Sequence, residues 1–176
     1  MKKPYLGLLL MVTAVAAIFL VITGCGDSTT TSTNANADLQ KQLDDIKAAL
    51  PKFAIPMREV GGRFDDMNAA AQGGNWALAA YMSKYMNNAM NPAKLTKPDE
   101  YQKWSSFYTG AFDPVNKAIA AKDLSAFDKA YADSITSCNG CHEASGYKFV
   151  KVVKQDTPAS KNLDYTLMSE PGDVPK

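Results

Sequence analysis

Histidine is nearly absent from this chain: its 176 residues include one, His142, together with three cysteines. A metal centre that takes two or more histidines from the same chain is therefore excluded. The chain also lacks an excess of charge of either sign, because 19 lysines and arginines balance 18 aspartates and glutamates, leaving a formal net charge of +1. This balance, without a basic stripe, argues against a nucleic-acid partner.

The amino terminus has the build of an export leader. Met1-Lys2-Lys3 supplies a positive start, and residues 6–22 are almost entirely apolar. The residues that follow, Val21-Ile22-Thr23-Gly24-Cys25, resemble the bacterial lipobox, in which the cysteine is lipidated and becomes the first residue of the mature protein. We therefore predict a lipoprotein signal peptide over 1–24 and a stable lipid anchor on Cys25. The alternative is an uncleaved anchor helix, which exports the domain equally.

Export sets the compartment. The domain is expected to face the periplasm or the cell surface, and Gly26 after the cysteine weakly favours the outer membrane over the inner membrane, by resemblance to Gram-negative lipoproteins. Residues 25–37 are mainly Ser, Thr and Asn and predict a flexible tether. Residues 38–153 form the predicted domain, and the polar, proline-containing residues 154–176 a tail that wraps the surface or is disordered.

Apolar residues recur at three- and four-residue steps through most of the domain, which predicts helices. The predicted helices run over 38–50, 57–73, 75–90, from 98 to about 119, and 123–146, with Asp38, Asn75 and Asp123 as amino-terminal caps. Pro114 is expected to kink the fourth helix or make it restart. The sequence thus predicts an all-α fold, an antiparallel four-helix bundle with the first short helix as an arm.

Two cysteines and the only histidine lie together in Cys138-Asn139-Gly140-Cys141-His142. This is the attachment pattern of c-type haem, in which two thiols add to the porphyrin vinyl groups and the histidine binds iron. Cysteines at i and i+3 share one face of a helix, which suits two vinyl groups on one porphyrin edge. We predict one covalent haem c on Cys138 and Cys141, with His142 as the proximal iron ligand.

Two other readings of the motif stay open at this point. Cys138 and Cys141 could form a redox or structural disulfide, or the motif could belong to a zinc site. Zinc would need further ligands, yet the chain has no second histidine, and Cys25 belongs to the leader.

The motif lies near the end of the last predicted helix, and in this it resembles the class II c-type cytochromes, the cytochrome c prime and c-556-like four-helix bundles. From Pro56 to about Val153 the chain is also similar to cytochrome-like exported bundle proteins, through Gly74-Asn75-Trp76 and the motif itself. The resemblance implies a four-helix bundle with the haem attached near the end of the last helix. Class II bundles often form homodimers through their helix faces, so the resemblance keeps a homodimer open for this chain.

The sixth iron ligand cannot be a second histidine of this chain. Low-spin class II cytochromes take a methionine from early in the first bundle helix, and that resemblance points to Met57. Met67, about three turns further along the same face, is the second candidate. The alternative is that these methionines only fill irregular core space.

Other side chains are weaker candidates for haem contacts. Arg58 and Arg63 could pair with the propionates, because arginine binds carboxylates through two parallel hydrogen bonds, although solvated arginines are commoner. Trp76, Tyr131 and Tyr147 could line the pocket and lower its dielectric constant, although such residues are more often core.

These features favour a one-electron carrier that moves on its tether between redox partner proteins of the periplasm or membrane. The alternative is a five-coordinate haem protein that binds NO or CO, as cytochromes c prime do. A haem enzyme such as a peroxidase is disfavoured, because a distal histidine cannot exist and the chain has only two arginines.

Overall fold

The computed structural model describes residues 28–168, so the predicted leader and the lipidation site Cys25 lie outside the described residues. These residues form two compact units that divide after Ala48. All regular structure between residues 28 and 168 is helical, which confirms the predicted all-α class.

The first unit contains one helix, α1, which spans Ser28–Ala49. It begins before the predicted cap Asp38, so residues 28–37 of the predicted tether are helical. Its residues from 35 to 49 are exposed. Side-chain pairs four residues apart support it, including Lys41 Nζ with Asp45 Oδ2 at 3.0 Å and Gln42 Nε2 with Asp38 Oδ2 at 3.0 Å. Such exposed pairs add a few tenths of a kcal/mol each, roughly, so α1 owes its form mainly to local interactions.

The second unit contains four long helices and one short one. They are α2 (Ala54–Gly73), α3 (Trp76–Ala89), α4 (Ala93–Thr96), α5 (Pro98–Ala121) and α6 (Leu124–Ala144). Helix α2 contacts α3 and α6, and α5 contacts α3 and α6, so the four long helices form a closed ring around one core. This arrangement is a helical bundle.

Two of the predicted caps are confirmed. The Asn75 side chain accepts a hydrogen bond from the Leu78 amide at 3.0 Å, and Asp123 accepts one from the Ala126 amide at 3.0 Å. Each supplies an acceptor to an amide that the helix itself leaves unpaired. Gly74, with φ +83°, ends α2 in the left-handed conformation that glycine adopts without strain.

Prolines explain two differences from the predicted helices. Helix α2 begins at Ala54 rather than near Met57, because Pro56 lies in the first turn, where its missing amide hydrogen is not needed. The predicted restart at Pro114 is wrong, since α5 continues through it. Pro114 is exposed, so its ring displaces no core side chain. The short helix α4 was not predicted.

Aromatic rings fill the centre of the bundle. The Phe64 ring of α2 stacks on Tyr131 of α6, with centroids 4.2 Å apart, and meets Phe112 of α5 edge-to-face at 5.9 Å. Phe112, Phe127 and Tyr131 are each 1% exposed or less. These contacts hold three helices to one layer, and each aromatic pair contributes about 1 kcal/mol beyond its buried area.

The tail crosses the outer side of α2. Asp66, only 3% exposed, accepts hydrogen bonds from the Ser160 amide at 2.9 Å, the Ser160 hydroxyl at 2.6 Å and the Tyr165 hydroxyl at 2.8 Å. Asn75 Nδ2 donates to the Asp164 carbonyl at 2.9 Å. A side chain at Gly73 would collide with the Tyr165 carbonyl. Residues 160–165 are therefore a fixed part of the second unit.

Replacing Tyr165 with phenylalanine removes one hydrogen bond to the buried Asp66 carboxylate and keeps the ring. We expect the free energy of unfolding to fall by about 1–2 kcal/mol, measured by urea denaturation. Tyr147→Phe, at a tyrosine that is 55% exposed, is the matched control and should change it by less than about 0.5 kcal/mol. Equal effects of the two substitutions would contradict a stabilising role for the tail.

Candidate haem-attachment site

The last two turns of α6 carry the three residues of the predicted attachment motif. Helix α6 continues through Ala144, and Gly146, with φ +84°, follows its end. Cys138 and Cys141 are one helical turn apart, both are free thiols, and both are partly buried. The structure therefore contains no disulfide between them and leaves both sulfur atoms available for thioether bonds.

The ring of His142 is held by the chain that follows the helix. His142 Nδ1 lies 2.7 Å from the carbonyl oxygen of Val150. Because a carbonyl can only accept a hydrogen bond, Nδ1 must carry a proton, and in the neutral imidazole Nε2 then keeps its lone pair. Histidines that bind metals are usually oriented by such a bond from the other ring nitrogen.

The segment after α6 is fastened to the helix at further points. The Tyr147 amide donates to the His142 carbonyl at 2.7 Å, and the Val150 amide donates to the Tyr147 carbonyl at 2.8 Å. Asn139, between the two cysteines, pairs with both backbone groups of Val152 at 2.8 and 2.9 Å. The sequence analysis missed Asn139, Val150 and Val152, because a backbone contact leaves no signal in residue spacing.

The surroundings of Cys138 are apolar. Burial, and then the nearby Cys141, raise the pKa of the Cys138 thiol to about 12, so it is fully protonated at neutral pH. Burial also raises the pKa of Tyr131, with the Asp65 carboxylate and Cys138 adding to the effect. The buried Tyr131 hydroxyl has no hydrogen-bond partner. Tyr131, Asp65 and Cys138 thus belong to one neighbourhood between α2 and α6.

The two candidate methionines lie at different depths of the bundle. Met57, in the first turn of α2, is partly buried and packs against the core cluster, whereas Met67 is fully buried in it. Phe64, which stacks on Tyr131, separates them along α2. Met67 therefore behaves as a core residue, and Met57 lies at the end of the helix, where a ligand could be reached.

The weaker candidates are spread over the bundle. Arg58 is exposed, while Arg63 is partly buried, lies 3.8 Å from Glu59, and has a buried Nε with no hydrogen-bond partner. Trp76 meets Phe127 edge-to-face at 6.4 Å, and Phe127 precedes Cys138 by about three helical turns, roughly 16 Å. Tyr147 is 55% exposed and its ring meets that of Phe149 at 6.2 Å. Of these side chains, Tyr131 interacts electrostatically with Cys138, and the backbone of Tyr147 lies next to the motif, where its amide donates to the His142 carbonyl.

The donor set fits a covalent haem. Two free thiols one turn apart and an imidazole with Nε2 unprotonated are what attachment to a porphyrin and to iron requires. Within residues 28–168, no group of three or more His, Cys, Asp and Glu side chains is arranged to hold a metal ion. In the same part of the chain, no helix is long and apolar enough to cross a membrane.

Comparison with known proteins adds no assignment: no protein-family model, curated protein or solved structure matches this chain significantly.

The raised pKa of Cys138 predicts slow alkylation of this thiol in the folded chain without haem, because the thiolate is the nucleophile. At pH 8 we expect iodoacetamide to label Cys138 at least about tenfold more slowly than in the urea-unfolded chain, measured by peptide mass spectrometry. Since folding raises this pKa from 9.0, the thiol's contribution to stability is present below pH 9 and is lost as the pH rises toward 12. Equal labelling rates in the folded and unfolded chain would contradict this prediction.

Proposed function

We propose that the chain is an exported monohaem c-type cytochrome of the class II kind, anchored by a lipid on Cys25, that carries single electrons between membrane or periplasmic partners. The proposal rests on the attachment motif together with the hydrogen bond between His142 Nδ1 and the Val150 carbonyl. The sequence supplies two thiols and an imidazole at the attachment spacing, and the fold presents that imidazole with Nε2 free.

The contacts between α2 and α6 support an antiparallel arrangement. Phe64 stacks on Tyr131, and Gln72 donates to Asp128 at 2.6 Å. Gln72 follows Phe64 in α2, whereas Asp128 precedes Tyr131 in α6. The two contacts therefore support opposite chain directions for the two helices. Two-residue links between α2 and α3 and between α5 and α6 also require sharp reversals.

This register brings Met57 level with the attachment motif. Met57 precedes Phe64 by seven residues and Cys138 follows Tyr131 by seven, so each lies about 10 Å from the stacked rings, toward the same end of the bundle. Met67 lies on the other side of the stack. The register therefore favours Met57 over Met67 as the sixth ligand.

The surface of α2 beside Met57 is exposed at Gly61. Gly61 follows Met57 by one turn on the same face of α2, and a Cβ built on Gly61 would meet no atom within 4 Å. Gln72, which bonds to Asp128 of α6, lies on this face as well. The face of α2 that is directed toward α6 is thus open near Met57.

When bound, a haem iron supplies reversible one-electron oxidation and reduction. The residues of this chain would then divide the remaining tasks. Cys138 and Cys141 would hold the porphyrin, and His142, fixed through Nδ1, would present Nε2 to the iron. Met57 would supply a further ligand and keep water away. The closely packed aromatic layer of Phe64, Phe112 and Tyr131 would limit rearrangement of the chain between the two oxidation states.

The anchor completes the proposal. A lipid on Cys25 would hold the domain at the membrane surface, and the residues up to α2 would let it meet partners there. The domain would face the periplasm or the cell surface, and a homodimer through helix faces is compatible with it.

Absorption spectra of the mature chain, expressed with a haem-attachment system, test the function directly. We expect sharp low-spin bands in the reduced protein, a weak far-red iron–sulfur band in the oxidised protein, and no change with carbon monoxide. A broad high-spin spectrum that shifts with carbon monoxide would favour the gas-binding alternative. Absence of covalent haem would exclude both functions, and Cys138→Ala with Cys141→Ala is the control for attachment.

Met57→Ala tests the sixth ligand. The variant should lose the far-red band and gain carbon monoxide binding, because the iron is left with an open position. Met67→Ala is the matched control: it should retain the band and instead lower the free energy of unfolding by about 2–5 kcal/mol, since it opens a cavity in the core. A Met57→Ala spectrum identical to the wild-type spectrum would remove Met57 from the site.

A further inference from the structure

Asn139 makes a paired contact that the attachment chemistry does not require. Its Nδ2 donates to the Val152 carbonyl at 2.9 Å, and its Oδ1 accepts from the Val152 amide at 2.8 Å. One side chain thereby satisfies both backbone groups of a single residue, as a neighbouring β-strand would. Rotating the amide by half a turn would place donor against donor and acceptor against acceptor, so the orientation is fixed.

The paired contact lies next to the hydrogen bond of His142. Val150, whose carbonyl faces His142 Nδ1 at 2.7 Å, is two residues before Val152 on the same segment. Residues 149–151 are exposed, Phe149 to 79% and Val150 to 45%, so little packing holds this part of the chain. Segments with exposed backbone and few apolar contacts open readily. The two bonds from Asn139 therefore act together with the Val150–Tyr147 backbone bond and the packing of Val152 against the core to keep the Val150 carbonyl in reach of the imidazole.

We propose that Asn139 is a positioning residue for the iron ligand. By clamping Val152 it fixes the Val150 carbonyl, and that carbonyl holds His142 in the tautomer with Nδ1 protonated. A hydrogen bond from Nδ1 makes the imidazole a stronger donor through Nε2, which favours ferric over ferrous iron and lowers the reduction potential. The effect on iron rests on the proposed function, whereas the effect on the His142 tautomer does not.

If Asn139 had only a structural role, its replacement would have different effects. An asparagine that only stabilised the end of the domain would change the free energy of unfolding when replaced, but would leave the histidine ring and the iron unaffected. The informative measurements are therefore the nitrogen chemical shifts of His142, the hydrogen exchange of the Val152 amide, and the reduction potential.

Three variants of the full mature chain separate the contributions. Asn139→Ala removes both bonds. Asn139→Asp keeps an acceptor for the Val152 amide, loses the donor to the Val152 carbonyl and adds a negative charge. Ser137→Ala is the control on the same helix, because Ser137 is exposed and its hydroxyl donates to the Asp133 carbonyl, away from the clamped segment.

In Asn139→Ala we expect the Val152 amide to exchange roughly tenfold faster than in wild type, the value for losing about 1.4 kcal/mol of protection. The His142 shifts should move toward a mixture of tautomers, and the reduction potential of the haem-loaded protein should rise. Asn139→Asp should protect the Val152 amide better than Asn139→Ala, and its added charge should lower the potential. Ser137→Ala should match wild type in all three measurements.

Unchanged His142 shifts and an unchanged potential in Asn139→Ala would overturn the proposal, even if Val152 exchanged faster. The exchange and shift measurements need no haem. If the wild-type chain carried no covalent haem, the proposed function would fail, while the shifts of His142 would still show whether Asn139 sets the tautomer.

Discussion

The stack of Phe64 on Tyr131 is the contact on which the rest of the bundle depends. It joins the first and last long helices, which are far apart in sequence, and buries both rings in the layer that Phe112 completes. Aromatic pairs at 4.2 Å with nearly parallel rings allow little sliding, so the stack also fixes the register of α2 against α6. That register decides which residue of α2 can face the attachment motif. The candidate ligand therefore follows from a core contact rather than from a contact of its own.

Sequence patterns were most informative where a residue acts within its own helix. The caps Asn75 and Asp123 and the four long helices of the second unit follow from local chemistry and from apolar spacing, and the structure confirms them apart from the bounds noted above. The start of α1 could not be predicted in this way, because Ser, Thr and Asn favour a flexible chain and residues 35–49 of the helix are exposed, so no buried apolar face marks that part of it. The continuation of α5 through Pro114 could not be predicted, because proline commonly kinks or ends a helix and local sequence does not show where the fold tolerates it.

The candidate site shows the same division. Cys138, Cys141 and His142 are recognisable from spacing alone, since the chemistry needs those residue types at those intervals. The group that orients His142 is a backbone carbonyl, and any residue at position 150 would provide one. Likewise, the depth of Met57 and Met67 along the bundle could not be read from periodicity, because both satisfy the same helical spacing. Their burial and their positions relative to the contact between Phe64 and Tyr131 distinguish them.

The scarcity of histidine makes the orientation of His142 more important than it would be in a histidine-rich chain. No second imidazole of this chain can replace it, so at the proposed iron site the tautomer of this one ring decides whether Nε2 carries the lone pair. A free ring would exchange between tautomers and rotamers in the partly exposed last turn of α6. The carbonyl of Val150 removes that freedom before any cofactor arrives, and the segment that carries it is tied back to the motif through Asn139. The end of α6, the bonds between Asn139 and Val152, and the segment that carries Val150 therefore act together. A change in any of the three is expected to alter the orientation of His142, the proposed iron ligand.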